Sequence, residues 1–276
     1  MRLFNKVAIV GTGLIGGSLA LAIKKKQLAR EVIGVSRHKS TLIWAKERSL
    51  IDKGSQDLSI IQGADLVILA APVNTILKLA GAIVKFAGKD CLVTDVGSTK
   101  KEIVSKLSGI FPNYVGSHPL AGSEKRGITN ASADIFRNSL CILTPEKKTH
   151  PNAFSRIKKL WVRLGVKVVV MDTDSHDRIL SFVSHLPHAI AFSLIDIVPN
   201  GYLKFGASGL KDTTRLAFSD SRLWADILLS NRKNMLKSIE AFGNNLRRIK
   251  SAINKKDEKA LIKILKKAKA KREILG

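Results

Sequence analysis

Two cysteines in 276 residues leave almost no scope for a disulfide framework, and aromatics make up only 5% of the chain. Acids are few: 22 Asp and Glu stand against 47 Lys and Arg, for a formal net charge of +25. No His/Cys/Asp/Glu spacing suggests a metal site, so none is expected. No apolar run reaches the roughly 18 residues of a membrane span. The chain passes from Met1-Arg2-Leu3-Phe4 straight into a strand pattern, which leaves no room for a secretory signal. Cys91 and Cys141 fall inside strand-like runs and read as buried thiols in a reducing, cytoplasmic setting.

The excess of base favours anionic partners in principle. Residues 247–276 alone carry twelve Lys and Arg against three acids. The lysines are otherwise scattered, and no nucleic-acid motif accompanies them. A solvated Lys-rich surface is therefore the expectation, with neither nucleic acid nor membrane as partner. At 45% hydrophobic and 25% charged, the composition is that of a globular chain long enough for two domains.

The most informative stretch is residues 6–18, KVAIVGTGLIGGS. It reads as a buried strand, a tight turn and a helix opening on small residues. Gly11, Gly13 and Gly16 spell G-x-G-x-x-G. Gly11 makes the turn, Gly13 lets backbone approach a pyrophosphate, and Gly16 lets helix and strand pack closely. Leu14 and Ile15 complete the turn at the helix start, whose unpaired N–H groups attract phosphate.

A strand at 32–36 should end in Asp or Glu if it accepts a ribose 2′-OH from NAD. The chain has Ser36-Arg37-His38-Lys39-Ser40 instead. Ser36, Arg37 and Ser40 suit a 2′-phosphate, which a guanidinium and hydroxyls hold by charge-assisted bonds. NADP is therefore expected over NAD. Apolar strands at 65–71 and 91–95 alternate with helices at 76–86 and 101–107, arguing for a doubly wound parallel sheet. Ligands bind beyond the carboxyl ends of such strands, so Pro72, Gly97, Ser98 and His118 should face one crevice. Strands at 140–143 and 166–171 break the simple repeat, and antiparallel pairing is expected there. The fold class is an α/β Rossmann-like domain over 1–172 with an all-α dimerisation domain over 173–276. On a helix over 175–198, Asp177, Ser181, Ser184 and His188 share one stripe, with Pro187 bending the helix beside it.

Several segments resemble the prephenate/arogenate dehydrogenase family of tyrosine biosynthesis: VGTGLIGGSLA at 10–20, DVGSTK at 95–100, GSHPLAGSEKRG at 116–127, SHLPH at 184–188 and GLKDTTRLA at 209–217. The resemblance spans essentially the whole chain in the right order. GVSRHKST after strand two is similar to NADP-using, often arogenate-preferring, members of photosynthetic lineages. The implied reaction sends hydride to a nicotinamide while a ring carboxylate leaves as carbon dioxide, giving tyrosine from arogenate or 4-hydroxyphenylpyruvate from prephenate.

On that resemblance His118 accepts the ring-hydroxyl proton, its ordinary pKa of about 6.5 suiting a neutral imidazole. Ser98 orients it and touches the nicotinamide end; as a bare pattern it is also an N-cap for the helix that follows. Arg215 clamps a substrate carboxylate, or else pairs with Asp212 one turn earlier. His188, Ser117 and Glu124 join the substrate site, Glu124 and Lys125 as a gate. His185 and Trp224 read as structural. No mutase-like segment is expected before residue 6 and no regulatory domain after residue 276, so feedback by tyrosine is expected to act at the active site. Apolar stripes including Leu223, Ile227, Leu228 and Leu236 suggest a symmetric homodimer. Two other readings stay open: another NADP-linked β-hydroxyacid or imine reductase, and an NADP sensor with a nucleic-acid-binding helical half.

Overall fold

The computed structural model describes residues 2–122, 125 and 127–276. Two compact units divide them, Met1–Asn231 and Arg232–Gly276.

The first unit is built on an eight-stranded sheet. Its strands are β1 (Phe4–Val10), β2 (Ala29–Val35), β3 (Lys53–Ser55), β4 (Leu66–Leu69), β5 (Leu92–Asp95), β6 (Tyr114–Pro119), β7 (Leu140–Thr144) and β8 (Lys167–Val170). They lie in the order β3-β2-β1-β4-β5-β6-β7-β8. All pairs are parallel except β6 with β7, which is the antiparallel pairing the sequence pattern foreshadowed. Both faces are covered. Val7 and Ile9 of β1 enter one core with Leu19 and Ile23 of α1 (Leu14–Lys25) and Trp161 of α5 (Pro151–Leu164). Ala8 and Val10 enter the other, with residues of α3 (Val73–Ile83) and α4 (Lys101–Leu107). A strand sends alternate side chains to opposite faces, so β1 must be apolar throughout. Helix α2 (Lys39–Glu47) links β2 to β3.

After β8 the chain turns helical while staying within the first unit. Helix α6 (Thr173–Leu180) runs into a π-helical turn, Ser181–His185, and then into α7 (Leu186–Asp196). The wider turn sits just ahead of Pro187, whose ring and missing N–H a regular helix would not accommodate. It also shifts the buried stripe: Asp177, Ser181 and His185 are buried, whereas Ser184 and His188 are only partly so. By length and composition Thr173–Asp196 is apolar enough to cross a membrane, a run the sequence reading did not expect. Four of its polar side chains, His176, Asp177, Ser181 and His185, are nonetheless buried against protein. Helices α8 (Ser208–Thr214) and α9 (Ser221–Ser230) complete the unit, with 3-10 turns at Asn200–Phe205 and Arg215–Phe218.

The second unit pairs α10 (Arg232–Asn254) with α11 (Glu258–Leu275). Lys256 takes a positive φ of 51° in the connecting turn, and Asp257 caps α11 through the Ala260 amide at 2.9 Å. Of the stripe residues expected to need a second copy, Ile227 is already buried within this chain, while Leu223 and Leu236 are exposed. Both cysteines are buried and unpaired, and burial pushes the Cys91 thiol up to about 11.

Candidate active site

Parallel pairing places the carboxyl ends of β1, β4, β5 and β6 along one edge of the sheet. Gly11, Pro72, Gly97, Ser98 and His118 lie there, as expected of residues that end these strands. Of the helices that begin on that edge, α3 and α4 have their unpaired N–H groups capped by distant carboxylates. Asp226 of α9 accepts from the Asn74 amide at 3.2 Å, capping α3. Asp177 of α6 accepts from the Lys100 amide at 2.8 Å and the Lys101 amide at 3.0 Å, capping α4. A carboxylate from far along the chain, and not Ser98, thus closes α4. Like α2 on the same edge, α1 starts with no side-chain cap and no acid in its first turn.

That open start fits a dinucleotide phosphate. Gly11 holds φ at +102°, and a Cβ there would lie 2.2 Å from the Ala70 carbonyl oxygen. A Cβ on Gly16 would lie 1.9 Å from the Gly11 carbonyl oxygen. A Cβ on Gly13 meets no protein atom within 4 Å. Internal packing therefore explains two of the three glycines, and the third keeps the helix start bare toward the outside. Thr12 Oγ1, between them, is buried without a partner. Leu14 and Ile15 form the first turn of α1, both partly buried. Beyond β2, Ser36 is partly buried while Arg37, His38, Lys39 and Ser40 are exposed. The Ser36 hydroxyl accepts from the His38 amide at 3.3 Å, and Gln56 Nε2 donates to the Arg37 carbonyl at 2.7 Å. No carboxylate stands in that loop.

His118 lies inside β6 rather than just past it, and is 8% exposed. Its Nδ1 is 2.8 Å from His176 Nε2, and His176 Nδ1 is 2.7 Å from Asp177 Oδ1. The carboxylate fixes the tautomers along this row. Burial pushes the Asp177 carboxyl up, but the bonds from His176 and from the Lys100 and Lys101 amides outweigh it, so it stays below the usual carboxylate range. An ionised Asp177 only accepts, so His176 carries its proton on Nδ1 and accepts at Nε2. His118 must then donate from Nδ1, which leaves its Nε2 with a free lone pair. Burial, with the charges of His176, Lys100 and His185, holds His118 well below its ordinary pKa and therefore neutral. Burial likewise lowers His176, though the Asp177 bond resists it.

Lys100 is fully buried beneath this row. Its ammonium bonds Asp95 and donates to the Ser117 carbonyl at 2.8 Å, and Tyr114 donates to Asp95 at 2.7 Å. The next residue along, Ser117, does not reach a crevice. It is fully buried; its hydroxyl donates to Thr94 Oγ1 at 2.7 Å, since Thr94 itself donates to the Val115 carbonyl, and it accepts from Trp161 Nε1 at 3.1 Å. Strand alternation sends it to the face opposite His118, so its side chain is committed to protein. Ser98 is partly buried beside these groups in the β5 loop.

His188 stacks on Trp224, ring centroids 3.4 Å apart, and its Nδ1 donates to the Ser184 carbonyl at 2.9 Å. Burial lowers its pKa; the Ser184 bond opposes this and the nearby Arg215 charge adds to it. Arg215 is exposed in the 3-10 turn beyond α8, close enough for that charge to act. His185 meets the same Trp224 edge-on at 6.1 Å. The amide of Asn231 donates to the Asp177 carbonyl at 2.7 Å and lies 3.2 Å from His185 Nδ1. Trp224 thus contacts both histidines of the SHLPH segment, and Asn231 links His185 to Asp177. Glu124 lies outside the described residues; Lys125 is described and exposed. His176 and Asn231 were not singled out from the sequence. HD at 176–177 is a common dipeptide, and nothing local marks its carboxylate as the cap of a helix some 76 positions away.

A glycine turn that leaves the α1 start bare, on a largely parallel sheet, with a neutral imidazole near the carboxyl end of β6, defines a dinucleotide-binding oxidoreductase. Two family models divide the chain between them: the nucleotide-binding domain of prephenate dehydrogenase matches residues 19–170, and the dimerization domain of prephenate dehydrogenase matches 172–267. The chain belongs to the prephenate dehydrogenase family. It is 35% identical to a prephenate dehydrogenase of Lactococcus lactis over 98% of this chain and 77% of the relative. It is 34% identical to a cyclohexadienyl dehydrogenase of Zymomonas mobilis over 99% and 96%. Among solved structures, prephenate dehydrogenase from A. aeolicus, in complex with hydroxyphenyl propionate and NAD+, superposes with a TM-score of 0.94 at 33% identity, covering 99% of this chain and 98% of that one. Synechocystis arogenate dehydrogenase gives 0.84 at 30%, covering 98% and 100%. Membership brings the family's oxidoreductase activity on prephenate or arogenate, and a nicotinamide cofactor.

Proposed function

We propose that this chain oxidises and decarboxylates arogenate, and prephenate more weakly, using NADP, with His118 as the base for the ring hydroxyl. The observation that carries the reading is the hydrogen-bonded row Asp177–His176–His118, at 2.7 and 2.8 Å, which assigns His118 a neutral imidazole with Nε2 open to accept a proton. A nicotinamide held at the start of α1 would supply the hydride acceptor. The side chains of this protein hold the substrate ring in place, receive the hydroxyl proton and keep the site dry. Arg215 and His188, the one close enough for its charge to act on the other, suit a carboxylate of the substrate. Arg37, Lys39 and the hydroxyls of Ser36 and Ser40 suit a 2′-phosphate, and the lack of a carboxylate there supports NADP. The arogenate preference rests on the likeness of this loop to NADP-using relatives. The exposed apolar residues Leu223, Leu236 and Ile239 support a symmetric homodimer, checked by mass in solution. Two buried thiols suit a reducing compartment such as the cytoplasm.

Steady-state rates with prephenate and arogenate, each with NADP and NAD, test the proposal. The expected order is arogenate with NADP fastest. Equal or better rates with NAD remove the cofactor assignment, and a prephenate preference removes the substrate assignment. Activity on neither substrate removes the function.

A further inference from the structure

The row Asp177–His176–His118 is longer than orientation of a single base requires. His118 is nearly buried, and the Lys100 ammonium, the neutral His176 and His185 face it from three elements. The Lys100 ammonium opposes a positive charge on His118 and on His176 alike, and its own partner, Asp95, is also engaged by Tyr114 and by the Gly97 amide at 2.8 Å. The nearest place where a positive charge meets an ionised carboxylate is His176, 2.7 Å from Asp177.

We infer that His176 and Asp177 form a proton relay behind His118, so that the proton taken from the substrate is stored as an imidazolium on His176 and not on His118. The inference rests on the functional reading above. As the carbinol C–H electrons leave as hydride to the nicotinamide, the ring O–H bond breaks and an N–H bond forms at His118 Nε2. In the same event the His118 Nδ1–H bond breaks and an N–H bond forms at His176 Nε2. The ring carboxylate then departs as carbon dioxide, its C–C electron pair aromatising the ring and leaving a phenolate. The two protons run back along the row, and His118 Nε2 returns one to the phenolate oxygen. No net proton is released, which is why a buried store serves better than solvent. His176 and Asp177 are buried behind His118, so both are positioning residues that act through it.

Asp177 also caps α4, so His176 is the cleaner target. His176→Gln keeps an acceptor near His118 Nδ1 but cannot hold the relayed proton. In the full-length chain with a parent-like melting temperature, kcat is expected to fall by about 10- to 100-fold. KM for substrate and nucleotide should stay within about twofold, as for an interaction made only in the transition state. The acid limb of the kcat/KM profile should move to lower pH. A kcat within about threefold of the parent, with an unmoved profile, overturns the relay.

Two measurements on the parent protein keep the inference testable whatever that variant does. The solvent isotope effect on kcat should curve with deuterium fraction, as two protons in flight require; a straight line overturns the relay. Ring 15N spectra of the parent should show Nδ1-protonated tautomers for both His118 and His176, and Nε2-protonated His118 overturns it. The spectra need no turnover. A protein that shows these tautomers yet oxidises neither substrate refutes the function while leaving the hydrogen-bonded row intact.

Discussion

Gly13 and Gly16 stand three residues apart in one motif, and the structure assigns them opposite liabilities. In Gly13→Ala the new methyl meets no protein atom within 4 Å, and the residue already holds a φ of −80°, open to any side chain. Losing glycine at the cap position costs at most about 1 kcal/mol. The methyl instead fills the space a phosphate needs, so the Kd for NADP should rise at least about tenfold, or 1.4 kcal/mol. In Gly16→Ala the methyl falls 1.9 Å from a backbone oxygen, that of Gly11, which no rotamer can clear. Overpacking of this kind costs about 3 kcal/mol, against which alanine regains about 1 kcal/mol of helix propensity. The net loss of about 2 kcal/mol lowers Tm by roughly 4–8 °C at this chain length. Thermal melts without nucleotide and calorimetric titrations with it separate the two effects. The reasoning is refuted if Gly13→Ala binds NADP as the parent does, or if Gly16→Ala melts with the parent.

His118→Asn should lower kcat by about 10²- to 10⁴-fold with nucleotide affinity nearly unchanged, and near-parental turnover removes His118 from the chemistry. Arg215→Ala should raise the substrate KM by about 10- to 100-fold through loss of a charge-assisted carboxylate contact; an unchanged KM leaves Arg215 a surface residue. Arg37→Asp places a carboxylate where the 2′-phosphate is proposed to lie and should turn the preference toward NAD, as read by kcat/KM for the two nucleotides. Burial lowers His118, His176, His188 and His185, the last to about 4 from 6.5. In that window the unfolded chain binds more protons than the folded one, so stability is full above pH 6.5 and drains away as pH falls toward 4. Urea midpoints at pH 7.5, 6 and 5 should decrease in that order, and a flat series contradicts the buried-neutral assignment.

The strands around β1 and their parallel sheet were legible because their determinants are local. Val7–Val10 and Leu66–Leu69 are apolar at every position, which only a strand covered on both faces requires, and G-x-G-x-x-G is a backbone constraint written in three residues. The reach of β6 through His118 was not legible, because antiparallel pairing with β7 extends it. Nor was the π-helical turn before Pro187, which moved the buried stripe onto His185 and left Ser184 and His188 only partly covered.

Sequence by itself determined the sheet, the phosphate turn and the basic loop after β2, since each depends on side chains and backbone freedom within a few neighbouring positions. It also named His118 and Arg215, through the motifs around them. Only the tertiary structure decided what stands behind His118 and what closes α4. Both answers come from Asp177, a carboxylate brought 76 positions back along the chain, and an ion in a buried site takes its function from whichever N–H groups the fold delivers to it.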